Sequence, residues 1–272
     1  MLSVPRPGKE TDNRSNWVEA GGAALRYRID GSGNRTLVLL HEMGGMLESW
    51  DDVVPALQDL RIIRYDWRGA GLSEKATESS LEVHAADLGA LLDALEIHGP
   101  VYLAGCAVGA AIALRFASLH PERVSGVVGM CPATKVLAEK RPAGVQVAER
   151  VAREGMGLLA SSGLTTSYPE AVRHDIDRYN NYLLRFRSND PVSFGASLKM
   201  VSTQEGDDWL KDVTAPALIL AGAYDGTRPP ELVREVADKI PGATFRIVES
   251  GHVMHYQTPD LIVNEIGNFL TA

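Results

Sequence analysis

With 272 residues, 45% of them hydrophobic and 23% charged, the chain is long enough to bury a large core and too apolar for a disordered or fibrous protein. A formal charge of −8 with no offsetting basic run excludes nucleic acid as an expected partner. No stretch approaches ~18 apolar residues, and the opening MLSVPRPGKETDNRS lacks the apolar centre of a secretion signal. No membrane partner is therefore expected, and the expected compartment is the cytoplasm.

In chain order, Trp17 to Glu19 and Ala24 to Ile29, joined by Gly21 and Gly22, read as an antiparallel hairpin. Short apolar runs follow: Thr36 to His41, Arg61 to Tyr65, Val101 to Ala104, Val124 to Met130, Ala217 to Ala221 and Thr244 to Val248. They are apolar at successive positions, as in strands buried on both faces of a parallel sheet. Helix-like segments such as Leu81 to Leu95 and Ala107 to Leu119 lie between them, so the chain reads as a doubly wound α/β protein. From about Ala133 to Lys211 no strand pattern occurs and the period turns helical. The expected organisation is a core of residues 1–132 and 212–272 with an inserted helical cap, 133–211.

The run Gly105-Cys106-Ala107-Val108-Gly109 joins a strand to an apolar helix, the context of a G-x-nucleophile-x-G elbow. Cys106 is taken as its nucleophile, a thiol at a helix N-terminus where the dipole favours thiolate. Cys131, before Pro132, reads as a small buried hydrophobe. Two cysteines at this spacing suit neither a disulfide framework nor a metal site, and neither metal nor cofactor is expected.

A thiol nucleophile needs a base, and the base an orienting acid. Asp225 directly follows the strand ALILA and His252 follows TFRIV, which gives the order nucleophile, acid, histidine. His255 competes for the role of base, and Asp207, Asp208 and Glu249 for that of acid. His84, His98, His120 and His174 read as surface or helix-face residues.

These features, with the turn Asp66-Trp67-Arg68-Gly69-Ala70-Gly71-Leu72-Ser73, resemble the α/β-hydrolase superfamily over nearly the whole chain. The layout is most similar to 3-oxoadipate enol-lactonases, including Ser49-Trp50 and the run Asn189-Asp190-Pro191-Val192-Ser193-Phe194. Cys106 and Glu42 stand where that family usually has serine and a small residue, and the pair resembles dienelactone hydrolases. That resemblance implies that Glu42 contacts the thiol and controls its protonation; the alternative is a loop carboxylate paired with an arginine such as Arg68. The superfamily plan implies an oxyanion hole from the backbone amides of Met43 and Ala107.

In the cap, Arg173, Arg178, Arg185 and Arg187 lie near Tyr179 and Tyr182. With Trp50 and Tyr182, Arg178 and Arg185 are candidate substrate contacts able to hold a carboxylate; the alternative is a solvated helix paired with Asp175, Asp177 or Asp190. The expected function is hydrolysis of a small ester or enol-lactone through a thioester, by a monomer or homodimer whose partner is a small molecule such as a lactone bearing a carboxylate. Other expectations are a C–C hydrolase or amidase, and a binding protein that retains the triad.

Overall fold

The computed structural model describes residues 15–160 and 162–271. The expectation about a secretion signal therefore falls, except for Ser15, outside the described residues. Eight strands form one sheet in the order β1-β2-β4-β3-β5-β6-β7-β8: β1 (Asn16–Ala20), β2 (Ala23–Asp30), β3 (Thr36–Leu40), β4 (Arg61–Tyr65), β5 (Val101–Cys106), β6 (Val124–Met130), β7 (Ala217–Gly222) and β8 (Thr244–Val248). β2 pairs antiparallel with both β1 and β4. All other pairings are parallel.

The central strands are apolar throughout because both faces are covered: every residue of β7 is buried, as are Leu37 to Leu40 of β3. β8 departs from that expectation. It is an edge strand with one neighbour, and Thr244, Arg246 and Ile247 are exposed.

Parallel strands deliver their carboxyl ends to one edge, where His41, Ala107, Cys131, Asp225 and His252 lie just beyond β3, β5, β6, β7 and β8. The strands following β3 diverge there, β4 to one side and β5 to the other. The crevice at such a switch point is where open α/β sheets bind ligands.

Helices α1 (Leu81–Ala94) and α2 (Val108–Leu119) precede β5 and β6. Ser80 caps α1 by accepting the Val83 amide at 3.1 Å. Between β6 and β7 the chain makes α3 (Arg141–Glu154), α4 (Gly157–Ala160), α5 (Ser162–Ser167), α6 (Ile176–Arg187) and α7 (Pro191–Thr203). Asp175 and Asp190 cap α6 and α7, and Pro191 occupies the first turn of α7, where its missing N–H costs nothing.

Apolar residues of this insertion form their own cluster, including Val151, Leu164, Tyr168, Tyr182, Phe186 and Phe194. The cluster closes on Val253 and Tyr256, beside His252. After β7 come α8 (Pro230–Ala237), α9 (Met254–Gln257) and α10 (Pro259–Thr271). Among the described residues no helix is long and apolar enough to cross a membrane.

Two expectations are corrected in this frame. His84, read as a surface or helix-face residue, is 1% exposed on the inner side of α1. Arg68 does not pair with Glu42: its Nε and one terminal nitrogen hold Asp87 at 2.9 and 2.7 Å.

Candidate active site

The strained apex of the elbow is Ala107, not Cys106. Ala107 has φ 52° and ψ −108°, and α2 begins at the next residue. A non-glycine residue is held in that region only where a turn over-determines it. The turn closes symmetrically about Ala107: a Cβ on Gly105 would stand 2.5 Å from the Gly109 carbonyl carbon. Read as G-x-nucleophile-x-G, the five residues put Ala107 at the centre. The position that presents the attacking atom therefore carries a methyl group, which cannot attack.

Cys106 is the last residue of β5, and its side chain is wholly buried. The thiol donates to the backbone carbonyl of His252 at 3.2 Å, and no hydrogen bond among the described residues joins it to the His252 ring. Burial, then Glu42 and then Asp225 push the thiol well above its ordinary range. These influences oppose the pull of a helix dipole toward thiolate.

The acid and the histidine do meet. His252 Nδ1 lies 2.7 Å from Asp225 Oδ2, while Asp225 Oδ1 accepts the Thr227 and Arg228 amides at 2.8 and 2.9 Å. Burial raises the Asp225 carboxyl, but His252, the Arg228 amide and the Cys131 thiol together hold it below its ordinary value. Cys131 is thus more than filler, because its buried thiol faces the acid. Atoms of Cys131, Asp225 and His252 lie within 4.8 Å of one another, and the short His252–Asp225 bond makes them a dyad with a thiol behind it.

The insertion supports this loop. The Ser167 carbonyl accepts the His252 amide at 3.1 Å and the Gln257 side chain at 2.8 Å. The competing acids lie elsewhere: Asp207 bonds Lys239 and Thr134, Asp208 is exposed beside Lys239, and Glu249 accepts from Tyr224.

With Ala107 at the apex, the amide that opens α2 belongs to Val108, and the Ala107 amide is already spent on the Met130 carbonyl at 2.8 Å. Val108 replaces Ala107 as the candidate oxyanion donor beside Met43. The Met43 peptide is held from its other end: the Glu42 carbonyl accepts the Gly45 amide at 3.1 Å and lies 2.7 Å from His41 Nδ1. His41 stacks on Trp67 with ring centroids 5.4 Å apart.

The Glu42 side chain meets His255, Nε2 to Oε2 at 3.1 Å, and accepts the Ser49 hydroxyl at 3.3 Å. The competing base thus has its own carboxylate. Tyr182 faces Glu42, and burial, then Glu42 and then Cys106 raise its phenol well above the usual range. Trp50 is 0% exposed and stacks on His255 at 4.1 Å.

The two arginines brace the insertion against the core. Arg178 bonds Asp52 at 2.6 Å and the Tyr256 carbonyl at 3.0 Å, and its Nε lies 3.8 Å from Asp175, the helix-cap partner offered as the alternative, so the guanidinium is engaged by the protein rather than open to a pocket. Arg185 donates to the Glu48 carbonyl at 3.0 Å and makes no ion pair among the described residues. Both guanidinium carbons lie 5.7 Å from the Tyr256 ring. Sequence reasoning also missed the role of Asn189, whose side-chain amide donates to the Gly44 carbonyl at 2.8 Å and to the end of α6.

Residues 35–259 match the profile of the α/β-hydrolase fold. The chain belongs to that family. Among its relatives, a pimeloyl-[acyl-carrier protein] methyl ester esterase of Vibrio cholerae is 26% identical over 259 residues, covering 91% of this chain and 98% of that protein. The enol-lactonase of Burkholderia xenovorans LB400 superposes with a TM-score of 0.89 at 25% identity, over 94% of this chain and all of the other. Est816, described as an N-acyl homoserine lactone degrading enzyme, gives 0.81 at 25% identity, over 93% and 100% of the two chains.

Proposed function

We propose that this member of the α/β hydrolases cleaves a small ester or enol-lactone without a covalent enzyme intermediate. The His252–Asp225 dyad acts as general base on water. The observation that carries this reading is the alanine at the elbow apex beside an intact dyad.

In the proposed step, water attacks the substrate carbonyl carbon as His252 Nε2 takes its proton. The Met43 and Val108 amides meet the oxygen that gains charge. Collapse breaks the carbon–oxygen bond, and His252 returns the proton to the departing oxygen. No thioester forms.

The helices between β6 and β7 serve as a cap whose aromatic face, with Tyr182 and Phe186, receives the apolar part of the substrate. Arg185, which has no ion-pair partner among the described residues, is the group available to a substrate carboxylate. Esterases and lactonases among the relatives and structural neighbours support the substrate class.

The test compares Cys106→Ala and His252→Ala on a panel of enol-lactones and small esters. Cys106→Ala should keep turnover within about tenfold, while His252→Ala should lose about 10²-fold or more. Ala107→Ser, which restores an apex hydroxyl, should yield an acyl adduct by intact mass where the native chain yields none. An acyl group on Cys106 of the native protein would end this proposal.

The same alanine also suits a base that removes a proton from substrate carbon. Deuterium entering unhydrolysed substrate from heavy water would select that reaction.

A further inference from the structure

His252 is held by more than its acid, because the peptide groups around it find partners on three different elements. Its amide donates to the Ser167 carbonyl at 3.1 Å, its carbonyl accepts the Cys106 thiol at 3.2 Å, and the next amide, that of Val253, donates to Gln257 Oε1 at 3.2 Å. Gln257 Nε2 then returns to the Ser167 carbonyl at 2.8 Å. One side chain thus closes a hydrogen-bonded ring between the insertion and the peptide that follows His252.

Local sequence explains why the ring can form. Ser167 ends α5, where a carbonyl turns to donors outside its helix, and Pro169 stops the helix from continuing. A Cβ on Gly251 would stand 2.6 Å from Gln257 Oε1 and 2.8 Å from Pro169 Cδ, so the glycine before His252 is what lets both approach. Gln257 is buried, and little water is at hand to replace either of its bonds. The ring is also anchored in the aromatic cluster of the insertion. Tyr168 and Tyr256, the neighbours of Ser167 and Gln257, both pack on Tyr182, with ring centroids 5.6 and 5.3 Å away.

We propose that Gln257 is a positioning residue that makes the base depend on the insertion: His252 is aligned on Asp225 only while the stretch from Ser167 to Pro169 is docked. This alignment matters to the reaction because His252 is the base proposed above, yet it can be read without turnover.

The reporter is the low-field proton resonance of His252 Nδ1–H on Asp225, identified by its absence from His252→Gln and expected to be sharp in the native chain at pH 8. Gln257→Met keeps the length of the side chain and loses both bonds, so the resonance should broaden beyond detection and the Val253 amide should exchange about tenfold faster. Gln257→Glu keeps an acceptor for Val253 but sets a carboxylate against the Ser167 carbonyl, and should resemble Gln257→Met at pH 8. At pH 5 its carboxyl, raised by burial, is protonated and donates again; the resonance should return while that of Gln257→Met stays weak. Tyr168→Leu changes no atom of the ring but removes packing on Tyr182, and should broaden the resonance as well. On any ester that the native chain turns over, Gln257→Met should lower kcat about tenfold with KM within about twofold.

Absence of the resonance from the native chain overturns the proposal, as does a native-like resonance in Gln257→Met or Tyr168→Leu, or a Gln257→Glu signal indifferent to pH. If the variants do not fold, the native chain decides, since His252 and Val253 amides that exchange as fast as exposed loop amides refute the ring. If the resonance behaves as expected and no ester or lactone is hydrolysed, the proposed reaction fails and the ring stands.

Discussion

Acidification should strip this fold of stability through a single buried imidazole beneath the oxyanion loop. His84 lies edge-on to Trp67, with ring centroids 4.9 Å apart, and its Nε2 is 2.7 Å from the Ser79 hydroxyl. Trp67 carries His41, which holds the Glu42 carbonyl. Burial, then Arg68 and then His41 lower the imidazole from 6.5 to about 4.

The folded protein therefore keeps His84 neutral where the unfolded chain takes up a proton. The stabilisation is fully present above pH 6.5, declines as the pH falls, and is exhausted below about pH 4, where both states are protonated. At about 1.4 kcal/mol per pH unit over roughly 2.5 units, the loss is about 3 kcal/mol. A domain of ordinary stability has only about 5–15 kcal/mol in total.

Urea unfolding of the native chain and His84→Gln at pH 7, 5.5 and 4.5 isolates this contribution, because the carboxylates titrate alike in both. The free-energy gap between the two proteins should shift by most of that 3 kcal/mol in favour of the variant as the pH drops. Parallel curves would refute the argument.

Asp225→Asn should leave the fold intact but impose the wrong imidazole tautomer, lowering kcat by about 10³–10⁴-fold on any substrate the native enzyme turns over. A loss below tenfold would mean that the His252–Asp225 bond does not serve the reaction. Asn189→Ala removes the amide that joins the Gly44 carbonyl to the end of α6 and should cost about 1–2 kcal/mol, read as a lower urea midpoint. An unchanged midpoint would show that water replaces the side chain without loss. Arg178→Ala releases the brace between α6 and Asp52, and should speed proteolysis within residues 141–203 while cleavage of the sheet stays slow.

The sheet was legible because its signal is local. Runs such as TLVLL and ALILA are apolar at every position, and only a strand covered on both faces calls for that. The same strands placed Asp225 and His252, since a residue just beyond a parallel strand must lie at the shared edge. The elbow was legible too, but only by counting: two glycines equidistant from Ala107 mark the apex, and the chemically conspicuous cysteine beside it drew the assignment one residue off. That one residue separates the expected thioester route from the base catalysis proposed above.

Tertiary structure alone decided the partners of the charged side chains. Glu42 could have met Arg68, Cys106 or His255, and Arg178 could have faced solvent, substrate or core; sequence spacing cannot rank residues 213 or 126 positions apart. An ion pair is selected by whichever elements the whole fold packs together, and burial then sets the protonation that makes the pair matter. Strand identity is written in a few consecutive residues. The partner of Glu42 is written in the meeting of a loop after β3 with a helix after β8.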